Sequence, residues 1–203
     1  MEVFMKRNLF SAKNVTTLAI LLALVVVLQA FGGSFTIGAV TLNFTLIPLV
    51  LGAIVLGAWA GAFLGFAGGV IILYQVIVAP AGFYYLIWTY SPFITVMICL
   101  VKTTVAGALA GLAFDLIKNK NRYVAVFVAA AIVPIVNTSL FVLGCLCMSN
   151  TIAMMANGQN VFVFILVGLV TFNFFIELAI NLLVAPGLHT VYNAVEKQFK
   201  KRR

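Results

Sequence analysis

Apolar residues fill this chain in long, nearly unbroken runs, neither alternating as in a half-buried strand nor confined to one stripe of a 3.6-residue period. Coiled as α-helix, about 20 apolar residues match the hydrocarbon core of a bilayer. Glycine, proline and polar clusters divide the chain into six such segments, residues 15–31, 45–57, 58–78, 93–117, 123–148 and 161–185. The second is short for a span, and only Gly57-Ala58-Trp59 separates it from the third, so it is expected to tilt, kink or lie partly at the interface. The expected fold is an all-α membrane protein, a six-transmembrane-helix bundle forming one domain over residues 1–203.

The polar connections between these runs set an orientation. Lys6, Arg7 and Lys13 precede the first helix; Lys118, Lys120 and Arg122 join the fourth and fifth; Lys197, Lys200, Lys201, Arg202 and Arg203 follow the sixth. Residues 32–43, 79–92 and 149–160 contain no Lys, Arg, Asp or Glu. Basic residues near helix ends mark the cytoplasmic side, which places both termini in the cytoplasm and the uncharged connections outside. Phe35-Thr36-Ile37 and Val40-Thr41-Leu42 flank Gly38-Ala39 with alternating character, which predicts a small extracellular hairpin lid. Residues 80–92 gather aromatics between two prolines and read as a loop, either an interfacial aromatic belt or a cover over a ligand.

Composition removes several function classes. The chain is 65% hydrophobic and 8% charged, with mean hydropathy +1.22, so a water-soluble domain is excluded. The formal charge of +8 lies in short clusters between apolar runs, which orient helices and point to no nucleic-acid partner. Cys99, Cys145 and Cys147 fall inside apolar segments, where a thiol acts as a small hydrophobe, and no metal site is expected. The first apolar run is longer than a signal-peptide core and reads as a retained helix. No phosphate-binding Gly-x-x-x-x-Gly-Lys-Ser/Thr loop and no hydrolase motif occurs, and His189 lies beyond Pro186 near the interface. Neither an enzyme nor a resident cofactor is expected, and any ATP must be used by another chain.

The few polar residues at lipid depth carry the candidate chemistry, because an ionisable group inside a bilayer needs a partner, a cavity or a function. Lys102 lies on the fourth helix and Glu177 past the middle of the sixth, where Asn173, Glu177 and Asn181 share a face at four-residue steps. Asn137 and Thr138 interrupt the fifth. One arrangement is an internal Lys102–Glu177 ion pair with asparagines as interhelical glue. The other is a polar cavity near the outer leaflet, in which Lys102 neutralises a ligand carboxylate while Asn137 and Asn173 orient its amides or hydroxyls. That second arrangement adds Asn43 and the aromatic Tyr85 and Trp88 to the substrate-binding set.

Small residues recur at four-residue spacing at Gly57, Gly61, Gly65 and Gly69, and at Gly107 and Gly111, which predicts close internal helix packing. Ala19 and Ala23 repeat the spacing on the first helix, as an internal seam or a docking seam for another membrane protein.

Taken together, the basic N-terminus leading into Thr16-Thr17-Leu18-Ala19-Ile20-Leu21-Leu22-Ala23-Leu24, the segment Asn43-Phe44-Thr45-Leu46-Ile47-Pro48-Leu49-Val50-Leu51-Gly52-Ala53, and Leu56-Gly57-Ala58-Trp59-Ala60-Gly61-Ala62-Phe63-Leu64-Gly65 resemble the substrate-binding S components of energy-coupling factor (ECF) vitamin transporters. The resemblance implies a six-helix subunit in the cell membrane that captures a vitamin from outside. It implies docking through Ala19 and Ala23 onto a transmembrane coupling subunit powered by two cytoplasmic ATPases. A cation at Lys102 followed by Asn137-Thr138-Ser139-Leu140-Phe141-Val142-Leu143-Gly144 looks most like the pantothenate branch, although lysine stands where an arginine is expected. Riboflavin is the alternative ligand, through stacking on the aromatic segment 83–90, and a self-sufficient ion-coupled carrier using Lys102 and Glu177 is the alternative class.

Overall fold

The computed structural model describes residues 11–32, 36–37, 40–78 and 82–200. Its helices are α1 (Ala12–Gly32), α2 (Leu46–Leu56), α3 (Ala58–Val78), α4 (Gly82–Tyr90), α5 (Pro92–Ile117), α6 (Arg122–Cys147), α7 (Ser149–Met155), the short α8 (Val161–Val163) and α9 (Thr171–Lys200). A π-helical turn over Phe164–Val170 joins α8 to α9 without a break. Five of these stretches are long and apolar enough to cross a membrane: Ala12–Ala30, Ala58–Val78, Pro92–Ile117, Arg122–Cys147 and Val161–Lys197. The protein is an all-α membrane protein in its spans, with one two-stranded ribbon between α1 and α2.

That ribbon pairs β1 (Thr36–Ile37) with β2 (Val40–Thr41) antiparallel, Thr36 opposite Thr41 and Ile37 opposite Val40. The strands lie where the alternating pattern predicts them; the Gly38-Ala39 turn and Phe35 lie outside the described residues. Below the ribbon, the Asn43 side-chain oxygen accepts the Thr45 N–H at 3.2 Å and also the Thr45 hydroxyl, a local turn that starts α2.

With 11 residues, α2 is about 16 Å long, roughly half a bilayer core. It is apolar on every side, and such a helix must be covered on every side. Leu46, Leu49, Val50, Ala53, Ile54, Val55 and Leu56 are all buried against α1, α3, α5, α6 and α9. Gly57 ends it with φ of 100°, a left-handed conformation that only glycine adopts without strain, and α3 starts at the next residue.

The predicted glycine seam is internal. A methyl group added at Gly61 would strike the Gly107 carbonyl, at Gly65 the Thr103 carbonyl, at Gly69 the Cys99 carbonyl, and at Gly111 the backbone of Ala58. These pairs run antiparallel along α3 and α5, so the absence of side chains is what lets the two backbones touch.

Two segments depart from the sequence expectation. Residues 82–90, read as an aromatic loop, form helix α4, because Phe83 and Ile87 lie one turn apart and are both buried. The last helix was expected to stop at Ala185 before Pro186, yet α9 continues to Lys200. A proline costs one backbone hydrogen bond, and tertiary packing carries the helix through it. Leu188 and Tyr192 are buried beyond Pro186, and the Tyr192 ring meets Phe114 of α5 edge-on at 5.0 Å.

The interior is layered. At the end carrying the α5–α6 turn, Ala106, Ala110 and Phe114 of α5, Ala125 to Val133 of α6 and Ala185 to Tyr192 of α9 form one apolar cluster with α2. At the opposite end, Phe83 and Ile87 of α4 pack with Ile98, Phe141, Cys145, Ile152 and Ile165. Seven buried polar residues fall between the two clusters, Thr45, Lys102, Thr103, Asn137, Asn173, Glu177 and Asn181, while buried Thr95 and Thr151 lie beside the α4 cluster. On α6, Asn137 lies one turn from Val133 of the first cluster and one turn from Phe141 of the second. On α9, residues 173–181 lie between Val170 and Ala185 in the same way.

Candidate functional site

The polar layer is assembled from three helices, α5, α6 and α9, and the approach to α2. On α5, the four-residue step from Ile98 to Lys102 to Ala106 keeps Lys102 on the buried face, and its side chain is 5% exposed. Its ammonium is 3.5 Å from the Tyr84 hydroxyl, at the outer limit of a hydrogen bond, and 5.3 Å from the centre of the Phe141 ring. An ammonium has three N–H donors, so one long bond and a ring face leave most of its capacity open.

Glu177 is the other buried ionisable group of the layer. One of its carboxylate oxygens accepts the backbone N–H of Asn43 at 2.8 Å. Lys102 and Glu177 form no ion pair; among the described residues, ion pairs join Lys118 to Asp115 and Arg122 to Glu196 near the α5–α6 turn. Of the two arrangements open in the sequence, direct pairing of Lys102 with Glu177 is not the one adopted.

Asn181 donates its amide to the Glu177 carbonyl at 2.8 Å along its own helix, and Asn173 donates to Leu169 at 3.5 Å in the same fashion. Among the described residues, Asn137 Oδ1, Asn181 Oδ1 and Asn43 Nδ2 are buried with no hydrogen-bond partner. Buried polar atoms are nearly always paired, so several in one layer mark a place where something else supplies the partners. The π turn above Asn173 winds more slowly per residue than an α-helix. It thereby holds Ile165 and Leu169 in line with Asn173, Glu177 and Asn181 on one buried face.

The remaining sequence-derived candidates divide. Tyr85 is 51% exposed on the outer side of α4, and Trp88 is half-buried against Ile72, Val76 and Cys99. The α4 residue at Lys102 is Tyr84, and Phe141 on α6 is the ring beneath the ammonium. Tyr84 is not singled out in the sequence, because a segment read as a loop has no inward face. Once it is helical, positions 83, 84, 87 and 88 share a side and Tyr85 points away. Ala19 and Ala23 are both exposed on α1, whose buried side is carried by Leu21 and Val25. Cys99 and Cys145 are buried free thiols, and no group of three or more His, Cys, Asp or Glu among the described residues is placed to hold a metal.

The layer thus holds one cation, one carboxylate, unpaired amide atoms of both polarities and apolar walls. A family model described as "ECF transporter, substrate-specific component" matches residues 13–189. The chain belongs to this family. No curated protein matches it. As the substrate-specific component of an ECF transporter it works with an ECF module and a substrate.

Proposed function

We propose that this substrate-specific component is the high-affinity binding subunit of an ATP-driven ECF vitamin importer and that its ligand is pantothenate. The observation that carries the reading is Lys102: a nearly buried ammonium with one long protein hydrogen bond, while the only buried carboxylate of the layer is engaged by the Asn43 backbone. A ligand carboxylate completes that ammonium, and amide and hydroxyl groups match the open atoms of Asn137 and Asn43, with Asn173 and the α4 side chains Tyr84 and Trp88 framing the site.

Riboflavin fits less well. Its ring system requires free aromatic faces, and Phe83 is packed against Tyr84 at 5.9 Å and against Phe141 at 5.6 Å. The whole chain acts as one domain in the cell membrane, crossing it six times with the buried α2 as the shortest crossing. Both termini are cytoplasmic, in keeping with the Lys and Arg distribution, and the β1–β2 ribbon covers the outer side. Exposed Ala19 and Ala23 on α1 dock a transmembrane coupling subunit driven by two ATPases.

Calorimetric titration of the purified chain tests the ligand. Saturable binding of pantothenate and none of riboflavin is the expected result; riboflavin binding, or no pantothenate binding, overturns it.

A further inference from the structure

At the α2–α9 side of the polar layer, away from the Tyr84 and Phe141 surroundings of Lys102, a small pocket opens between the residues that lead into α2 and the middle of α9. Leu42, Ile47 and Ile180 give it apolar walls, and Asn43, Glu177 and Asn181 supply its polar atoms. Glu177 is 7% exposed and Asn181 2%. The Asn181 amide N–H is used within its own helix, which leaves its Oδ1 as a buried acceptor without a partner. Asn43 Nδ2 is a buried donor in the same condition.

The polarity of these atoms restricts what fits. A carboxylate or phosphate has no proton to give to Glu177 or Asn181, and would meet a like charge. An ammonium satisfies the acceptors but leaves Asn43 Nδ2 open. A hydroxyl both donates and accepts, so it can give its proton to Asn181 Oδ1 or Glu177 while receiving a bond from Asn43 Nδ2.

We propose that Asn43, Glu177 and Asn181 form the second pole of the substrate site and bind a hydroxyl group at the end of the ligand remote from the carboxylate held by Lys102. The proposal rests on the anionic-ligand reading given above and adds a selectivity to it: the site takes a monoanion with a hydroxylated far end and rejects a dicarboxylate of similar length. Lys102 does not bond Glu177, so beside the Asn43 N–H that it accepts, the carboxylate keeps further lone pairs for the ligand.

Three probes and two variants test it. Pantothenate carries both ends, N-pivaloyl-β-alanine keeps the carboxylate and amide but lacks the hydroxyls, and panthenol keeps the hydroxyls but lacks the carboxylate. On the unmodified chain, N-pivaloyl-β-alanine is expected to bind about tenfold or more weakly than pantothenate. Glu177→Gln, which preserves an acceptor for the Asn43 N–H, and Asn181→Leu are each expected to weaken pantothenate by about tenfold. Either should change N-pivaloyl-β-alanine binding by less than about threefold. Equal affinity of the unmodified chain for pantothenate and N-pivaloyl-β-alanine overturns the proposal without any variant, as do equal losses for both ligands in whichever variant folds. If pantothenate binds and depends on Lys102 but ignores these changes, the second pole alone falls; if pantothenate does not bind, the anionic-ligand reading falls and takes this proposal with it.

Discussion

Lys102 and Glu177 occupy the same buried layer and stay apart: Glu177 accepts the Asn43 backbone N–H at 2.8 Å, and Lys102 meets the Tyr84 hydroxyl at 3.5 Å and the Phe141 ring. Two opposite charges in a dry interior gain most by closing on each other. Keeping them apart leaves an ammonium poorly satisfied, and such a cost persists where function requires it. The separation leaves a positive and a negative pole in one layer with no bridge between them.

Lys102→Met removes the charge and keeps most of the side-chain length. Because the ammonium is nearly buried and poorly paired, the ligand-free protein should melt at the same temperature or higher. Affinity for an anionic ligand should fall by about 10- to 100-fold, the worth of a hydrogen bond between charged partners. Thermal unfolding and calorimetry on the same preparation check both halves; a large loss of stability with unchanged affinity would make Lys102 structural.

Asn137→Leu separates the same two effects on α6. Asn137 is 5% exposed and its Oδ1 has no partner, so an apolar replacement of similar size removes an unmet acceptor. Stability without ligand is expected to hold or rise, and ligand affinity to drop by about tenfold. A parallel drop in both would show that Asn137 supports the bundle and not the solute.

The spans, the ribbon and the glycine seam were legible in the sequence because each depends on local chemistry. Apolar run length gives α3, α5 and α6 to within a residue or two, and the spacing of Gly61, Gly65 and Gly69 signals the contact with α5. Lys102, Asn137 and Glu177 stand out for the same reason: charge and amide groups are rare in apolar runs. What local pattern cannot carry is partner choice. Nothing in the chain's order says that Asn43 rather than Lys102 meets Glu177, since that contact joins residues 134 positions apart. Tyr84 was hidden by its setting among aromatics between two prolines, where composition suggests a loop and only the one-turn spacing of Phe83 and Ile87 signals a helix.

Gly65→Ala should be costly and Gly187→Ala should not. A methyl at Gly65 runs into the Thr103 backbone, which has no rotamer to escape to, so α3 and α5 must separate. Overpacking of this kind costs about 1–3 kcal/mol. Gly187 lies in α9 with nothing within 4 Å of an added methyl, and alanine there gains helix propensity of up to about 1 kcal/mol. Melting temperatures of the two variants in one detergent give the comparison, and similar values would mean that the α3–α5 seam is not as close as described.

Docking and ligand binding should separate on α1. Ala19 and Ala23 are exposed one turn apart, while Leu21 and Val25 hold the helix to the bundle. Replacing both alanines with leucine therefore leaves the internal contacts intact and raises ridges where a partner helix would need to approach its backbone. Substrate affinity of the purified double variant should stay within about twofold of the unmodified chain, because its binding layer is untouched. Co-purification with a coupling subunit and ATP-driven uptake should both be lost. Ile20, 64% exposed beside the small-residue stripe, provides the control, and Ile20→Ala should retain uptake. Full uptake by the Ala19→Leu, Ala23→Leu protein would move the docking surface off this face of α1, since two added leucines cannot be accommodated in a backbone-to-backbone contact.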